Sequence, residues 1–142
     1  MRNFIMIAVV AITIPFLDLG SASAEGLNGE QIKKLLIGNT FFRENISRRG
    51  RSRETWRFFK NETTLEYKQV REGRRGHKTE EFETPWRVTA DGKICWQTGQ
   101  RGIGTEACRN NLRIRGDAVK MDGVGDAPSR KFKLLKGNPE GL

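Results

Sequence analysis

Two short stretches of the chain hold eight basic residues that could together bind an anion. The first stretch, 48–53, reads Arg-Arg-Gly-Arg-Ser-Arg, and the second, 71–78, reads Arg-Glu-Gly-Arg-Arg-Gly-His-Lys. A dense group of cations binds anionic polymers by releasing their condensed counterions, so its affinity falls steeply as salt rises. The candidate anion-binding residues are Arg48, Arg49, Arg51, Arg53, Arg71, Arg74, Arg75 and Lys78.

The net charge of the chain also favours an anionic partner. Its 142 residues include 26 Lys and Arg against 17 Asp and Glu, a net charge of +9. Of the 25 basic residues after position 24, 15 are Arg, whose planar guanidinium suits carboxylate and phosphate groups. A simpler explanation stays open, because a strong net charge also keeps an exported protein soluble. Whether the two stretches meet in space depends on the strand order.

The sequence contains no catalytic set that would define an active site. The single histidine, His77, lies within an Arg-rich stretch, where the neighbouring charge opposes its protonation. Glu81 and Glu83 fall on the solvent face of their predicted strand and offset nearby arginines. An enzyme would need ionisable groups to converge in one cleft, and the candidates are Glu80, Glu83, His77 and Asp91. We therefore expect a non-enzymatic protein with no cofactor and no metal site.

The N-terminal residues predict a secretory signal peptide. An apolar run of about 14 residues, Phe4 to Leu17, precedes the small residues Ala22-Ser23-Ala24 that suit a signal peptidase. A membrane-spanning helix needs roughly 20 apolar residues, so cleavage of this shorter run is favoured over the alternative that it is retained as an anchor. We expect removal of residues 1–24, a periplasmic or secreted location and no transmembrane span thereafter. The remaining chain is predicted to form one β-rich domain over 25–136 and a disordered tail over 137–142.

Cysteine usage agrees with export. Cys95 and Cys108 are the only two cysteines, and an oxidising compartment would join them. Closing a loop of this length stabilises a fold by about 3 kcal/mol. A zinc or haem site would require Cys-x-x-Cys spacing or several histidines, which this chain lacks. The two cysteines therefore predict one structural disulfide.

Local patterns predict one short helix followed by strands. Over Leu27 to Gly38, Asn28 suits the N-cap and Gln31 its reciprocal capping partner, while Gly38 can end the helix. From residue 40 onward the apolar period is two. Trp56 and Phe58 alternate with Arg57, which assigns both rings to the buried face.

The spacing of the strands predicts the fold class. Asp91-Gly92 is a favoured two-residue turn that would join two strands as a hairpin. Seven or eight evenly spaced strands after one short N-terminal helix predict a mainly β fold, an antiparallel meander curled into a half-open or closed barrel. A hollow, lipocalin-like barrel that binds a small apolar ligand is an alternative. Against it, large side chains are predicted to fill the interior, namely Phe58, Trp86, Trp96, Phe132 and Leu134.

Four short motifs resemble a known family. They are Leu36-Ile37-Gly38-Asn39-Thr40, Trp86-Arg87-Val88, Asp91-Gly92-Lys93-Ile94-Cys95-Trp96 and Glu106-Ala107-Cys108. Together they resemble the small exported bacterial proteins grouped as domain of unknown function 995. The resemblance implies a bacterial periplasmic setting and a β-rich fold, and it implies no activity, cofactor or catalytic residue.

The preferred interpretation is a binding domain that engages an anionic envelope component or a protein partner through its Arg-rich loops. Outside the cytosol the available anions are lipopolysaccharide phosphates, acidic glycans and the membrane surface. Nucleic acid is not expected there, although the aromatic residues that could stack on bases are Trp56, Tyr67, Trp86 and Trp96. We expect the protein to be a monomer.

Overall fold

The computed structural model describes residues 27–97 and 104–142, which form one helix and a closed eight-stranded barrel. The predicted signal peptide, 1–24, lies outside these residues. Every pair of neighbouring strands is antiparallel, and the strands follow one another around the barrel in chain order. The predicted fold class is therefore confirmed, with eight strands and full closure. The elements are α1 (Gly29–Leu36), β1 (Asn39–Ile46), β2 (Ser52–Phe59), β3 (Thr64–Gly73), β4 (Gly76–Val88), β5 (Ile94–Gln97), β6 (Glu106–Arg115), β7 (Ala118–Gly123) and β8 (Arg130–Lys136).

The strand order gives the barrel two different ends. Because successive strands run in opposite directions, the β2–β3, β4–β5 and β6–β7 turns lie at one end, together with α1. We call this the helix end. The β1–β2, β3–β4, β5–β6 and β7–β8 connections lie at the opposite end, the loop end. None of the helical structure in the described residues has the length and hydropathy needed to cross a membrane.

Helix α1 covers the helix end of the barrel. Its predicted capping box is confirmed: the Gln31 N–H donates to Asn28 Oδ1 at 2.9 Å, and the Asn28 N–H donates to Gln31 Oε1 at 3.0 Å. Ile32 and Leu36 are 2% and 0% exposed. Gly29 packs directly on the β4–β5 turn, where an added Cβ would lie 2.8 Å from the Thr89 carbonyl oxygen.

Aromatic side chains fill the half of the interior nearest α1. Phe41 and Phe59 are fully buried, and their ring centroids are 5.0 Å apart. Phe59 also contacts Trp86 at 4.7 Å, and Phe41 stacks on Phe132 at 5.3 Å. Packing of this kind occupies the space that a small apolar ligand would need, so these residues give no support to the lipocalin-like alternative.

The predicted orientation of β2 is wrong. Phe41 on β1 is the register partner of Arg57 on β2, so Arg57 points into the barrel, and Trp56 and Phe58 point outward. Trp56 is nevertheless only 8% exposed, because it packs on Phe42 with ring centroids 5.1 Å apart. Both faces of β2 carry apolar side chains, so alternation alone could not identify the inner face.

The C-terminal residues 137–142, predicted to be a disordered tail, lie against the outer wall in the structure. The Thr40 hydroxyl donates to the Gly137 carbonyl at 2.7 Å. Lys68 Nζ lies 2.9 Å from Glu140 Oε2 and 5.9 Å from the ring centroid of Trp56. Glu140 thereby connects the tail to Lys68, whose side chain lies over the outward-facing ring of Trp56.

The β4–β5 hairpin forms as predicted, but its turn is one residue longer. The Thr89 N–H donates to the Lys93 carbonyl at 2.9 Å, so Ala90 joins Asp91-Gly92 in the turn. Gly92 has a φ of 82°, whereas Asp91 is not in the left-handed region. In the strands that follow, Cys95 and Cys108 are directly opposite, with Cα atoms 4.1 Å apart, and form the predicted disulfide.

Removing the disulfide should destabilise the barrel without changing its fold. The Cys95→Ala/Cys108→Ala variant is expected to lose about 3 kcal/mol of unfolding free energy, because the unfolded chain regains the entropy of an open loop. Urea denaturation measures this loss, and chemical reduction of the wild type should reproduce it. Equal urea midpoints for the variant and the oxidised wild type would contradict the expectation.

Candidate functional site

A basic cleft lies at the loop end of the barrel. Its volume is about 780 Å³, and its walls contain seven arginines and a single acidic residue, Glu72. Residues of the strands β1, β2, β3 and β8 line the cleft, together with residues of the β1–β2 turn. The lining residues, which define the basic cleft, are Arg43, Asn45, Ile46, Ser47, Arg48, Arg49, Arg51, Ser52, Arg53, Arg71, Glu72 and Arg130.

The topology brings the two Arg-rich stretches together at this cleft. They form the β1–β2 and β3–β4 connections, which share the loop end, and β2 pairs directly with β3. Arg53 and Arg71 are register partners across that pair. The Ser52 N–H also donates to Glu72 Oε2 at 3.0 Å, which ties the two connections to each other. The strand order thus settles the adjacency that the sequence left open.

The eight candidate residues occupy three different environments. Five of them line the basic cleft, namely Arg48, Arg49, Arg51, Arg53 and Arg71. Arg74 and Arg75 are exposed at the tip of the β3–β4 hairpin and do not line the cleft. Lys78 lies opposite Arg71, and both bind Glu80, at 3.0 Å and 2.6 Å. The hydrogen bond from Lys78 is the main cause that lowers the pKa of Glu80.

Four further arginines point into the barrel interior, and the sequence reasoning missed all of them. Their register partners share the inner face: Phe41 for Arg57, Thr55 for Arg43, Ile94 for Arg109 and Met121 for Arg130. All four side chains are half-buried. We call this set the interior arginine cluster: Arg43, Arg57, Arg109 and Arg130.

Arg57 lies near the barrel axis, at the boundary between the aromatic core and the basic cleft. Its guanidinium carbon is 5.0 Å from the ring centroid of Tyr67 on β3, 5.4 Å from Trp96 on β5 and 5.7 Å from Phe132 on β8. Because these strands are spread around the barrel, a group close to all three rings must be central. Cation–π contacts with the rings hold the side chain in place.

The interior arginine cluster carries positive charge that the described residues do not balance. Within 27–97 and 104–142, no carboxylate forms an ion pair with any of its four members. Burial is the main cause that lowers the pKa of Arg57 to about 10. The positive charges of the other three cluster members also lower this pKa. Burial also lowers the pKa of Arg43 and of Arg109, with Arg130 as a further cause in both.

Few hydrogen bonds from the protein satisfy these guanidinium groups. Arg57 Nη1 donates to the Thr55 hydroxyl at 3.5 Å, and Arg109 Nη1 donates to the Cys108 carbonyl at 3.1 Å. The Nε atoms of Arg57 and Arg109 are buried without an acceptor among the described residues. A guanidinium offers five N–H donors, so the cluster retains unused capacity to bind an anion.

A period of two was the sequence signal that could have identified this cluster. Three of the arginines stand two residues from a buried aromatic on the same strand, as Phe41-x-Arg43, Arg57-x-Phe59 and Arg130-x-Phe132. Residues two apart on a strand share a face, so a known inward phenylalanine places its arginine inside the barrel. The pattern becomes useful only once the inner face of each strand is known.

The residues considered for catalysis do not converge. His77 is exposed on β4, and Glu83 faces outward and binds Lys60 at 3.1 Å. Asp91 lies at the helix end, where it binds Lys93 at 3.0 Å, whereas Glu80 lies toward the loop end. Glu106 is close to Cys95 and Cys108, but the disulfide uses both sulfurs, so they supply no thiolate to a metal.

No family model matches the chain, and comparisons with curated proteins and with solved structures find no match either. The resemblance to the domain of unknown function 995 stays a prediction.

Replacing the central arginine should stabilise the ligand-free protein. Arg57→Met removes an unbalanced, half-buried charge and keeps a long side chain, so we expect unfolding free energy to rise by roughly 1–2 kcal/mol. The comparison is made by urea denaturation in a chloride buffer without phosphate. Arg113→Met is the control, because Arg113 faces outward and binds Asp122 at 2.6 Å. This substitution should not raise the unfolding free energy. A lower unfolding free energy for Arg57→Met would contradict the account of the cluster.

Proposed function

We propose that this chain is an exported, non-enzymatic binding domain that engages anionic polymers of the cell envelope through its basic cleft. One observation carries the proposal: a cleft of about 780 Å³ whose lining holds seven arginines and one carboxylate. The cleft volume lies within the range of roughly 300–1,000 Å³ typical of ligand sites.

The distribution of ion pairs supports this role. Acidic residues on the outer wall neutralise neighbouring cations, as in the pairs of Lys60 with Glu66 and of Arg87 with Glu106. Arg48, Arg49 and Arg51 form no ion pair among the described residues, and all three are exposed. Their charges are therefore available to a ligand, without an internal pair to break first.

The choice of arginine also supports an oxyanion ligand. Guanidinium groups bind phosphate, sulfate and carboxylate through two parallel hydrogen bonds, whereas an ammonium group acts as a point charge. Every basic residue in the cleft lining is an arginine. A ligand with several acidic groups could engage both connections at once, since Arg53 and Arg71 are directly opposite.

The proposed location limits the candidate ligands. The apolar N-terminal run and the cysteine pair joined across β5 and β6 are consistent with an oxidising compartment outside the cytosol. The anionic polymers there include phosphorylated lipopolysaccharide and acidic glycans. Both present repeated oxyanions that suit an arginine-lined surface.

Charge reversal in the cleft should weaken binding to heparin, a soluble model of an acidic glycan. Arg49→Glu/Arg51→Glu removes two of the lining cations, so affinity should fall and the slope of log Kd against log salt should become shallower, because fewer counterions are released on binding. Affinity is measured by titration at several sodium chloride concentrations. Lys133→Glu/Lys136→Glu is the matched control, because both residues are exposed on β8 toward the helix end.

Two outcomes would count against the proposal. One is that the cleft variant binds heparin with the wild-type affinity and salt dependence. The other is that the control variant loses as much affinity as the cleft variant, which would show that net charge alone determines binding.

A further inference from the structure

We propose that the interior arginine cluster is a specific site for a single phosphate group, either free phosphate or a phosphate carried on a larger molecule. The inference extends the proposed function, because the ligand would enter through the same basic cleft. It differs from that function in its chemistry: the cleft binds a polymer by many exposed charges, whereas the cluster binds one group inside the barrel.

The cleft leads to the cluster. Arg43 and Arg130 belong to both, since they line the basic cleft and point inward from β1 and β8. Arg57 lies one inward position deeper than Arg43, beside the aromatic core. Arg57 does not itself line the cleft, so a ligand that binds it would first pass Arg43 and Arg130.

The interior arginine cluster favours a bound anion more strongly than the exposed arginines of the basic cleft do. Four cations share a half-buried volume, and the described residues supply no carboxylate to any of them. Like charges repel more strongly there than at an exposed surface, because the effective dielectric constant is lower. A bound anion removes this repulsion and supplies acceptors to N–H groups that lack them, among them Arg57 Nε and Arg109 Nε.

The central member of the cluster, Arg57, is also held in position before any ligand binds. Tyr67, Trp96 and Phe132 surround the Arg57 guanidinium, and Thr55 accepts a hydrogen bond from it. A side chain fixed in this way loses little conformational freedom on binding, which favours affinity. The exposed arginines of the β1–β2 turn have no comparable support from aromatic rings among the described residues.

Phosphate fits this site better than carboxylate does. A phosphate monoester carries close to two negative charges near neutral pH and three acceptor oxygens. A carboxylate carries one charge and two oxygens. Four guanidinium groups around one volume match the larger charge and the larger number of acceptors.

Calorimetric titration of the purified protein tests the inference. The probes are inorganic phosphate, glycerol 3-phosphate and acetate, each at constant ionic strength in sodium chloride. We expect the wild type to bind one phosphate, and Arg57→Met to bind it at least about tenfold more weakly, because the variant loses the charge-assisted hydrogen bonds of the central guanidinium. Arg113→Met, which replaces an outward arginine on the same strand as Arg109, should bind as the wild type does.

Further variants separate this site from the polymer-binding cleft and guard against misfolding. Arg43→Met removes a second cluster member at a less central position, and it should also weaken phosphate binding. Arg49→Glu/Arg51→Glu should reduce heparin binding while phosphate still binds inside the barrel. Tighter binding of glycerol 3-phosphate than of inorganic phosphate would identify the natural ligand as a phosphate on a larger molecule, and the reverse order would identify free phosphate.

Three results would overturn the inference, whatever the outcome with heparin. The first is no phosphate binding by the wild type beyond the matched chloride control. The second is wild-type phosphate affinity in folded Arg57→Met and Arg43→Met. The third is acetate binding as tight as phosphate binding, which would remove the assignment to phosphate.

Discussion

A closed barrel forces alternate residues of every strand into one shared interior, and this constraint determines what the protein can do. Near α1 the shared volume is filled by aromatic side chains such as Phe41 and Phe59. Toward the loop end the same inward positions carry arginines. Cations brought together in this way repel one another, so the fold concentrates positive charge at this end of the interior. The basic cleft and the interior arginine cluster are two consequences of that arrangement.

The main stabilising features lie on the outer face of the barrel or at its helix end. The disulfide joins β5 and β6 on the outer face, and α1 packs its buried side chains on the opposite end of the interior. Ion pairs such as that of Arg113 with Asp122 also lie on the outside. The loop end can therefore retain unbalanced cations while other parts of the molecule supply the stability. Such a separation is expected of binding sites, where groups needed by a ligand cost stability in its absence.

Local sequence features predicted much of the fold, because each has a cause within a few residues. The capping box at Asn28 and the cysteine pair formed as the sequence indicated, and the β4–β5 hairpin formed with a turn one residue longer than predicted. The predicted orientation of β2 was wrong. The alternation of Trp56 and Phe58 suggested that these two rings face inward, whereas the register places Arg57 on the inner face. The adjacency of the Arg-rich stretches depends on strand order, which no local pattern contains. The interior arginine cluster depends on both register and closure, so it could be recognised only from the structure.

The most direct test of the account is a crystal structure of the protein grown with phosphate. We expect a phosphate inside the barrel, within hydrogen-bonding distance of Arg57 and of at least one of Arg43, Arg109 and Arg130. A structure in which these arginines turn to solvent, or in which phosphate binds only at the exposed turns, would contradict it.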